Sequence, residues 1–365
     1  MKIICVNCIK NENLIKAVVR TDSAGYGAYI VIAGKAYPDE FNIEEPFDRK
    51  THVFHFGESE ISKGEKIKFY VKKRKKSRRP KCIEFTFTAD FADESKLIGE
   101  YDSGFAVKGS QEKEIIRGVK YTCFDIEDKN GSPVKAFTLD IDTKYASLYV
   151  GTPGDGYKSR KVKAKLPDMI EAAVKNDIPV AAAMNADFFD MFGDFHPSGL
   201  CVKNSRVVAN PDSERPFVGI LKDGSPVITD TIESPGIVGR LDQAASGLQM
   251  IVKDGKIFDF APLEPFSFVR HPRTAAGVRK DGSVIMLAVD GRIPEYSNGA
   301  TLVDLAKFMI NAGADRALNL DGGGSTAVYI KGDNGFELKN YPADLFRPRA
   351  KLIRKEFNSL LVISK

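Results

Sequence analysis

Apolar and polar positions alternate with a period of two along the first part of the chain. Ile67, Phe69 and Val71 share one face, as do Ile83, Phe85 and Phe87. Such alternation is the mark of half-buried strands. Two runs, within Ile61–Val71 and Lys81–Thr88, joined by a polar connector, predict a hairpin. Glycine and proline break the neighbouring stretches at Gly25–Gly27 and Gly34–Pro38. No amphipathic helix is expected before residue 165. The pattern predicts a small β-sandwich-like module over residues 1–112.

Strand and helix signals mix after the polar stretch Gly109–Arg117, which reads as a domain boundary. Lys135–Ile141 and Ser147–Val150 have strand patterns. Pro167–Lys175 reads as a helix, with proline in the first turn where its missing N–H costs nothing. Pro179–Met184 is an apolar run ending at Asn185. Asp-Gly pairs at 223–224, 254–255 and 281–282 lie between apolar runs and predict hairpin turns. A second helix should begin at Thr301, whose hydroxyl can cap it with Asp304 three residues on. Leu302, Leu305, Ala306, Met309 and Ile310 follow at helical spacing, and Gly313 ends it. Ala317–Leu320 is a short apolar strand running into Asp321 and three glycines. The fold class expected is α+β, a sheet-rich domain over 113–365 following the β module.

Length supports two cores, because 365 residues exceed what one core comfortably holds. The net charge of +5 is concentrated: residues 72–81 hold eight basic side chains and no acid, so the rest of the chain is slightly acidic. Such a block suits an anionic polymer, a membrane surface or simply water. Five cysteines in a chain this long are not a disulfide framework. Cys5 and Cys8 have C-x-x-C spacing, but no second pair follows, so ordinary thiols are expected rather than zinc. The apolar run after Met1-Lys2 is too short for a secretory leader. No stretch approaches the ~18 apolar residues of a membrane span. The expectation is a protein that works where it is made or leaves without a cleaved leader.

Candidate chemistry lies where apolar runs end in polar clusters, since a residue just past a buried strand is held firmly yet reaches solvent. The first cluster is Asn185-Ala186-Asp187-Phe188-Phe189, with Pro197-Ser198-Gly199 as a continuation. The second is Arg270-His271-Pro272-Arg273-Thr274, where the planar fork of Arg273 suits phosphate or carboxylate. The third is Asp290-Gly291-Arg292. The fourth is Asp321-Gly322-Gly323-Gly324-Ser325-Thr326, whose glycines could bring amides close to an anion. It is not a P-loop, because no Gly-Lys-Ser/Thr closes it. No serine or cysteine nucleophile elbow and no zinc motif appears, and there are only four histidines. Carboxylates, arginines and amides remain, a set suited to cleaving a glycosidic or phosphate-linked bond.

Taken in order, the clusters resemble the phosphodiester glycosidase family. Its bacterial members show a pattern like Asn-Gly-Asp-Phe-Phe, met here by Asn185–Phe189 with Ala186 in place of glycine. Pro197–Gly199, Pro272–Gly277, Asp290–Arg292 and Leu320–Ser325 follow in the family's order. The segment from Asn340-Tyr341-Pro342 through Arg347 and Arg349 loosely resembles its closing, arginine-containing part. The resemblance covers about 250 residues and none of the first ~110.

It implies hydrolysis of a sugar-1-phosphate diester to free sugar and phosphomonoester. Arg273 and Arg292 would then hold phosphate, helped by the amides of Gly322, Gly323 and Gly324. Asp187, Asp290 and Asp321 would share the acid, base or nucleophile roles. Asn185, Thr274, Ser325 and Thr326 would position sugar or phosphate oxygens. No cofactor is required; Ca²⁺ or Mg²⁺ is left open at the Asp-rich rim, although EF-hand spacing is lacking. The partner expected is a glycosyl phosphate or polysaccharide. The competing expectations are a non-catalytic module binding carbohydrate, exopolysaccharide or anionic wall polymer, and a phage-type, cell-wall-associated protein led by its β module.

Overall fold

The computed structural model describes residues 3–11, 14–21, 26–38, 51–72, 80–87, 105–128, 131–190, 193–210, 215–258, 269–344 and 347–365. The chain forms two compact units. One is built from Met1–Asp102 and Ala261–Val269, the other from Ser103–Phe260 and Arg270–Lys365.

The first unit holds two antiparallel sheets. Ile3–Asn11, Leu14–Thr21 and Thr51–Gly57 form one; Lys35–Pro38, Tyr26–Ile32, Lys66–Lys72 and Lys81–Thr86 form the other, in those orders. The inward residues Ile15, Ala17, Val19, Ile30, Phe54, Phe56, Ile67 and Phe69 make a single apolar cluster. Phe54 meets Phe69 edge to face, ring centres 6.1 Å apart. The expected hairpin is present in the register Lys66↔Thr86 to Val71↔Lys81. Most of the basic block, residues 73–79, lies outside the described residues. Cys5 and Cys8 lie on the strand Ile3–Asn11.

The second unit is layered. An eight-stranded antiparallel sheet runs in the order Lys256–Ile257, Gln249–Lys253, Arg316–Leu320, Arg273–Val278, Val284–Val289, Pro133–Ile141, Val119–Asp128, Phe105–Ile116. A five-stranded sheet is ordered Ala146–Gly151, Ser359–Ser364, Val180–Asn185, Val328–Gly332, Gly335–Leu338. A second five-stranded sheet contains Cys201–Lys203, Phe217–Leu221 and Leu241–Ser246. Leu139, Met184, Val218, Met286, Leu318 and Leu360 bring all three into one core.

Helix α1 (Leu166–Lys175) covers the other face of the first five-stranded sheet through Leu166, Ile170 and Ala173, against Ala183 and Leu361. Helix α2 (Leu302–Asn311) lies against the eight-stranded sheet; a methyl built on Gly277 would lie 2.5 Å from Met309 Cε. Covering both faces explains why Val180–Asn185 and Val284–Val289 are buried at every position instead of alternating. The Asp-Gly turns at 223, 254 and 281 join paired strands as expected.

The domain boundary differs from expectation. Gly109–Arg117 is polar because it forms the exposed outer strand of the eight-stranded sheet, not because it links domains. Phe105–Ile116 pairs with Val119–Asp128 from Phe105↔Asp128 to Ile116↔Val119. A one-sided edge strand and a linker have the same polar composition.

Candidate active site

Strand register gathers the candidate residues. Arg273–Val278 runs antiparallel to both neighbours, pairing Arg273 with Val289 and Thr274 with Leu320. The start of one strand therefore lies beside the ends of two others, which places Arg273, Asp290 and Asp321 at one edge of the sheet. Asn185 ends its own strand opposite Ser359 in the facing sheet.

Asn185 ties the two sheets together. Its amide donates to Asp321 O at 2.5 Å, and its Oδ1 accepts from Thr274 Oγ1 at 2.9 Å and Ala327 N at 3.2 Å. Both Asn185 and Thr274 are fully buried. The sequence assigned these two to substrate; the structure spends them on each other and on the glycine loop. Phe189 packs against the core.

The loop after Leu320 turns on close approach. A methyl on Gly322 would lie 2.6 Å from Pro272 O, one on Gly323 2.9 Å from Arg292 Nη2, and one on Gly324 2.7 Å from Arg354 Nε. Gly323 also has φ +61°, the left-handed region that favours glycine. The expected amide cradle is largely taken up internally: Gly322 N donates to Asp321 Oδ1 and Gly323 N to Pro272 O, both at 2.8 Å. The glycines instead let two guanidinium groups rest on the loop. Arg292 Nη1 donates to Ala343 O at 3.1 Å. Arg354 contacts Asp344 Oδ2 through Nε at 2.9 Å and Nη2 at 2.8 Å. Arg347 and Arg349, where the sequence looked for the closing arginine, are exposed.

Three carboxyl groups converge here. Asp187 and Glu356 each feel the charge of Asp321. Burial raises all three above their ordinary range: Asp321 to about 6, and Asp187 and Glu356 well beyond the usual carboxylate values. Burial and the mutual charge both work against ionising all three together. Asp321 is the one best able to carry the charge. Ser325, Arg354, the Gly322 amide and Arg292 all favour its ionised form. Ser325 likewise favours the ionised form of Glu356.

Asp290 belongs to a different network. Its oxygens accept from Asn340 Nδ2 at 2.8 Å, Tyr341 N at 2.7 Å and the Tyr296 hydroxyl at 3.0 Å. Asn340 also donates to Thr326 O at 2.9 Å, so Asp290 braces the far end of the glycine loop. With three donors engaged, Asp290 is tied into this network, whereas the sequence reading grouped it with Asp187 and Asp321. Arg273 is buried and donates through Nε to Ala300 O at 3.1 Å. His271 is held neutral: burial first, then Arg273 and Arg292, push its pKa down to about 3. Arg270 pairs with Asp128 and Asp304, which occupies it structurally.

Among the described residues, one group has metal-ligand proximity: Asp190, Asp194 and His196, with ligand atoms within 4.8 Å of one another. The Asp190 oxygens accept the amides of Gly193 and Asp194, while Asp194 meets His196 at 2.6 Å and Arg160 at 3.2 Å. Protein donors thus already serve this loop.

Sequence reasoning missed Glu356, Arg354 and Arg215. Arg215 lies beside Asp187, and its flanking Ser213-Glu214-Arg215-Pro216 reads as a surface loop. Glu356 occupies a two-residue strand, Lys355–Glu356, paired with Ala164–Lys165, too short to leave any periodicity.

Residues 179–354 match the family model described as phosphodiester glycosidase, and this span holds Asp187, Arg273, Arg292, Asp321 and Arg354. Over this span the chain resembles the phosphodiester glycosidase family. The chain is 28% identical over 183 residues to the N-acetylglucosamine-1-phosphodiester α-N-acetylglucosaminidase of Bos taurus, covering 44% of this chain and 32% of that protein. It is 27% identical over 221 residues to the enzyme of Homo sapiens, covering 55% and 39%. The chain thus spans less than two-fifths of the length of these relatives. The zebrafish catalytic-domain structure of the same enzyme, auto-inhibited by its pro-peptide, superimposes with a TM-score of 0.55 over 71% of this chain and 89% of that one, at 21% identity. That likeness shows a shared fold. Apart from residues 261–269, the matched span lies within the second unit.

Proposed function

We propose that the second unit hydrolyses the C1–O bond of a sugar-1-phosphate diester, releasing free sugar and a phosphomonoester. The observation that carries this reading is Asp321, a buried carboxyl at the head of a glycine loop on which two guanidinium groups rest. A diester bears one negative charge, and the departing phosphomonoester gains a second. Fixed cations beside the leaving oxygen stabilise that gain where water is excluded. A phosphomonoester is a weak base, so it leaves with little help from an acid; the greater demand is at the sugar carbon, which becomes positively charged. Asp321, ionised near neutrality, acts at that carbon or on the water attacking it. Asp187 and Glu356 hold the protons.

The test is hydrolysis of methyl phosphodiesters of sugar-1-phosphates, beginning with N-acetylglucosamine because the relatives are named for it. Run in ¹⁸O-labelled water, the reaction should place the label in the sugar. Label in the phosphate would show P–O cleavage and overturn the proposal, as would failure to release sugar from any such diester. Retention of the diester without turnover would favour a carbohydrate- or polymer-binding role.

A further inference from the structure

The arginines near Asp321 differ in what already engages them. Arg354 spends two nitrogens on Asp344, Arg292 donates to Ala343 O, and Arg273 donates to Ala300 O. Arg215 makes no hydrogen bond or ion pair among the described residues, although its Nη1 is buried. The acceptor Asp187 Oδ1 is likewise buried without a hydrogen-bond partner. These two groups belong to one corner of the site. Gly199 N donates to Asp187 Oδ2 at 3.2 Å, and a methyl built on Gly199 would lie 3.6 Å from Arg215 Cδ. The guanidinium also acts electrostatically on Asp187.

A buried donor and a buried acceptor at the same corner, each left unpaired, are costly to keep. Proteins tolerate such groups where a ligand supplies the missing partners. Arg215 needs an anionic acceptor, and a guanidinium fork fits the non-bridging oxygens of a phosphate. We infer that Arg215 is a substrate-binding residue that holds a phosphate oxygen of the diester, at the Asp187 corner of the site. The inference rests on the proposed cleavage of sugar phosphodiesters. It moves the main phosphate contact from Arg273, which the sequence favoured, to an arginine outside every recognised motif. The arginines engaged by Asp344, Ala343 and Ala300 then shape the glycine loop and set the field around Asp321.

Binding and turnover should be measured separately for the full chain and for the variants Arg215→Ala and Arg215→Lys. Inorganic phosphate serves as the probe, by calorimetry and by its inhibition of diester hydrolysis; thermal melts confirm that the variants fold. Loss of one charged hydrogen bond should weaken phosphate binding roughly tenfold to a hundredfold in Arg215→Ala. Arg215→Lys should recover part of that loss, and KM for the diester should rise. If phosphate binds all three proteins equally and only the pH profile of turnover moves, Arg215 merely tunes Asp187 and the inference fails. It fails too if the unaltered protein cleaves diesters yet does not bind phosphate. If Arg215→Ala loses phosphate but no protein cleaves any diester, the anion site stands and the proposed activity falls.

Discussion

At the scale of single residues, Asp321 is where chemistry and stability oppose each other. Its pKa of about 6 in the folded protein lies above the ordinary 3.8, with burial as the main cause. A carboxyl with a raised pKa binds its proton more tightly in the folded state. Its contribution to stability is therefore present at low pH and lost as pH rises through about 6. Asp321→Asn should melt at a higher temperature than the unaltered protein above that pH, with the gap closing toward pH 4, the ordinary carboxyl value. Thermal melts across this range check the sign. In the same variant, turnover should fall by roughly 10²–10⁴. In the unaltered protein, kcat should decline as pH falls below about 6, following loss of the ionised form. Gly323 offers a second test. At φ +61°, with Arg292 2.9 Å from where a methyl would sit, Gly323→Ala should lose about 1–3 kcal/mol in urea unfolding and displace that guanidinium.

At the scale of elements, α2 shows local sequence and tertiary packing in agreement. Thr301 Oγ1 accepts from Asp304 N at 3.0 Å, and Asp304 Oδ2 accepts from Thr301 N at 2.9 Å. This capping box is the one its spacing implies, and the helix begins at Leu302 as expected. Thr301→Ala should cost about 0.5–2 kcal/mol, read from denaturant unfolding. The strand Phe105–Ile116 is the opposite case. Its outward residues are polar because that face meets water, so periodicity gave no hint that its backbone was paired. The glycine run falls between the two: an unusual local conformation was predictable, but not the two arginines that require it.

At the scale of the molecule, the two units permit a test of the boundary and of where the activity resides. A fragment starting at Ser103 keeps the whole edge strand and every candidate site residue. It should fold and retain the turnover of the full chain. A fragment starting at Lys113 cuts that strand between Glu112 and Lys113 and strips pairing from Val119–Asp128. It should melt at a lower temperature than the longer fragment. Equal melting of the two would mean that the edge strand contributes little, and loss of turnover in both would give the first unit a part in the reaction.

The sequence by itself determined the pieces whose causes are local. Alternation marked the hairpin of the first unit, Asp-Gly pairs marked the turns, and a threonine three residues before an aspartate marked the start of α2. Apolar strands ending in polar residues located Asp187 and Asp321, because a strand end is legible from its own composition, and a polar cluster located Arg273 at the start of its strand. Tertiary structure alone decided which charges meet. It brought Glu356 and Arg354 from the end of the chain to the glycine loop, set Arg215 beside Asp187, and turned Asp290 toward Asn340 and Tyr341. Periodicity records only which face of an element avoids water. The titration and partners of a buried carboxyl depend on groups far away in the chain, as Asp187 feels Asp321 and Arg215, and those distances close only when the sheets pack.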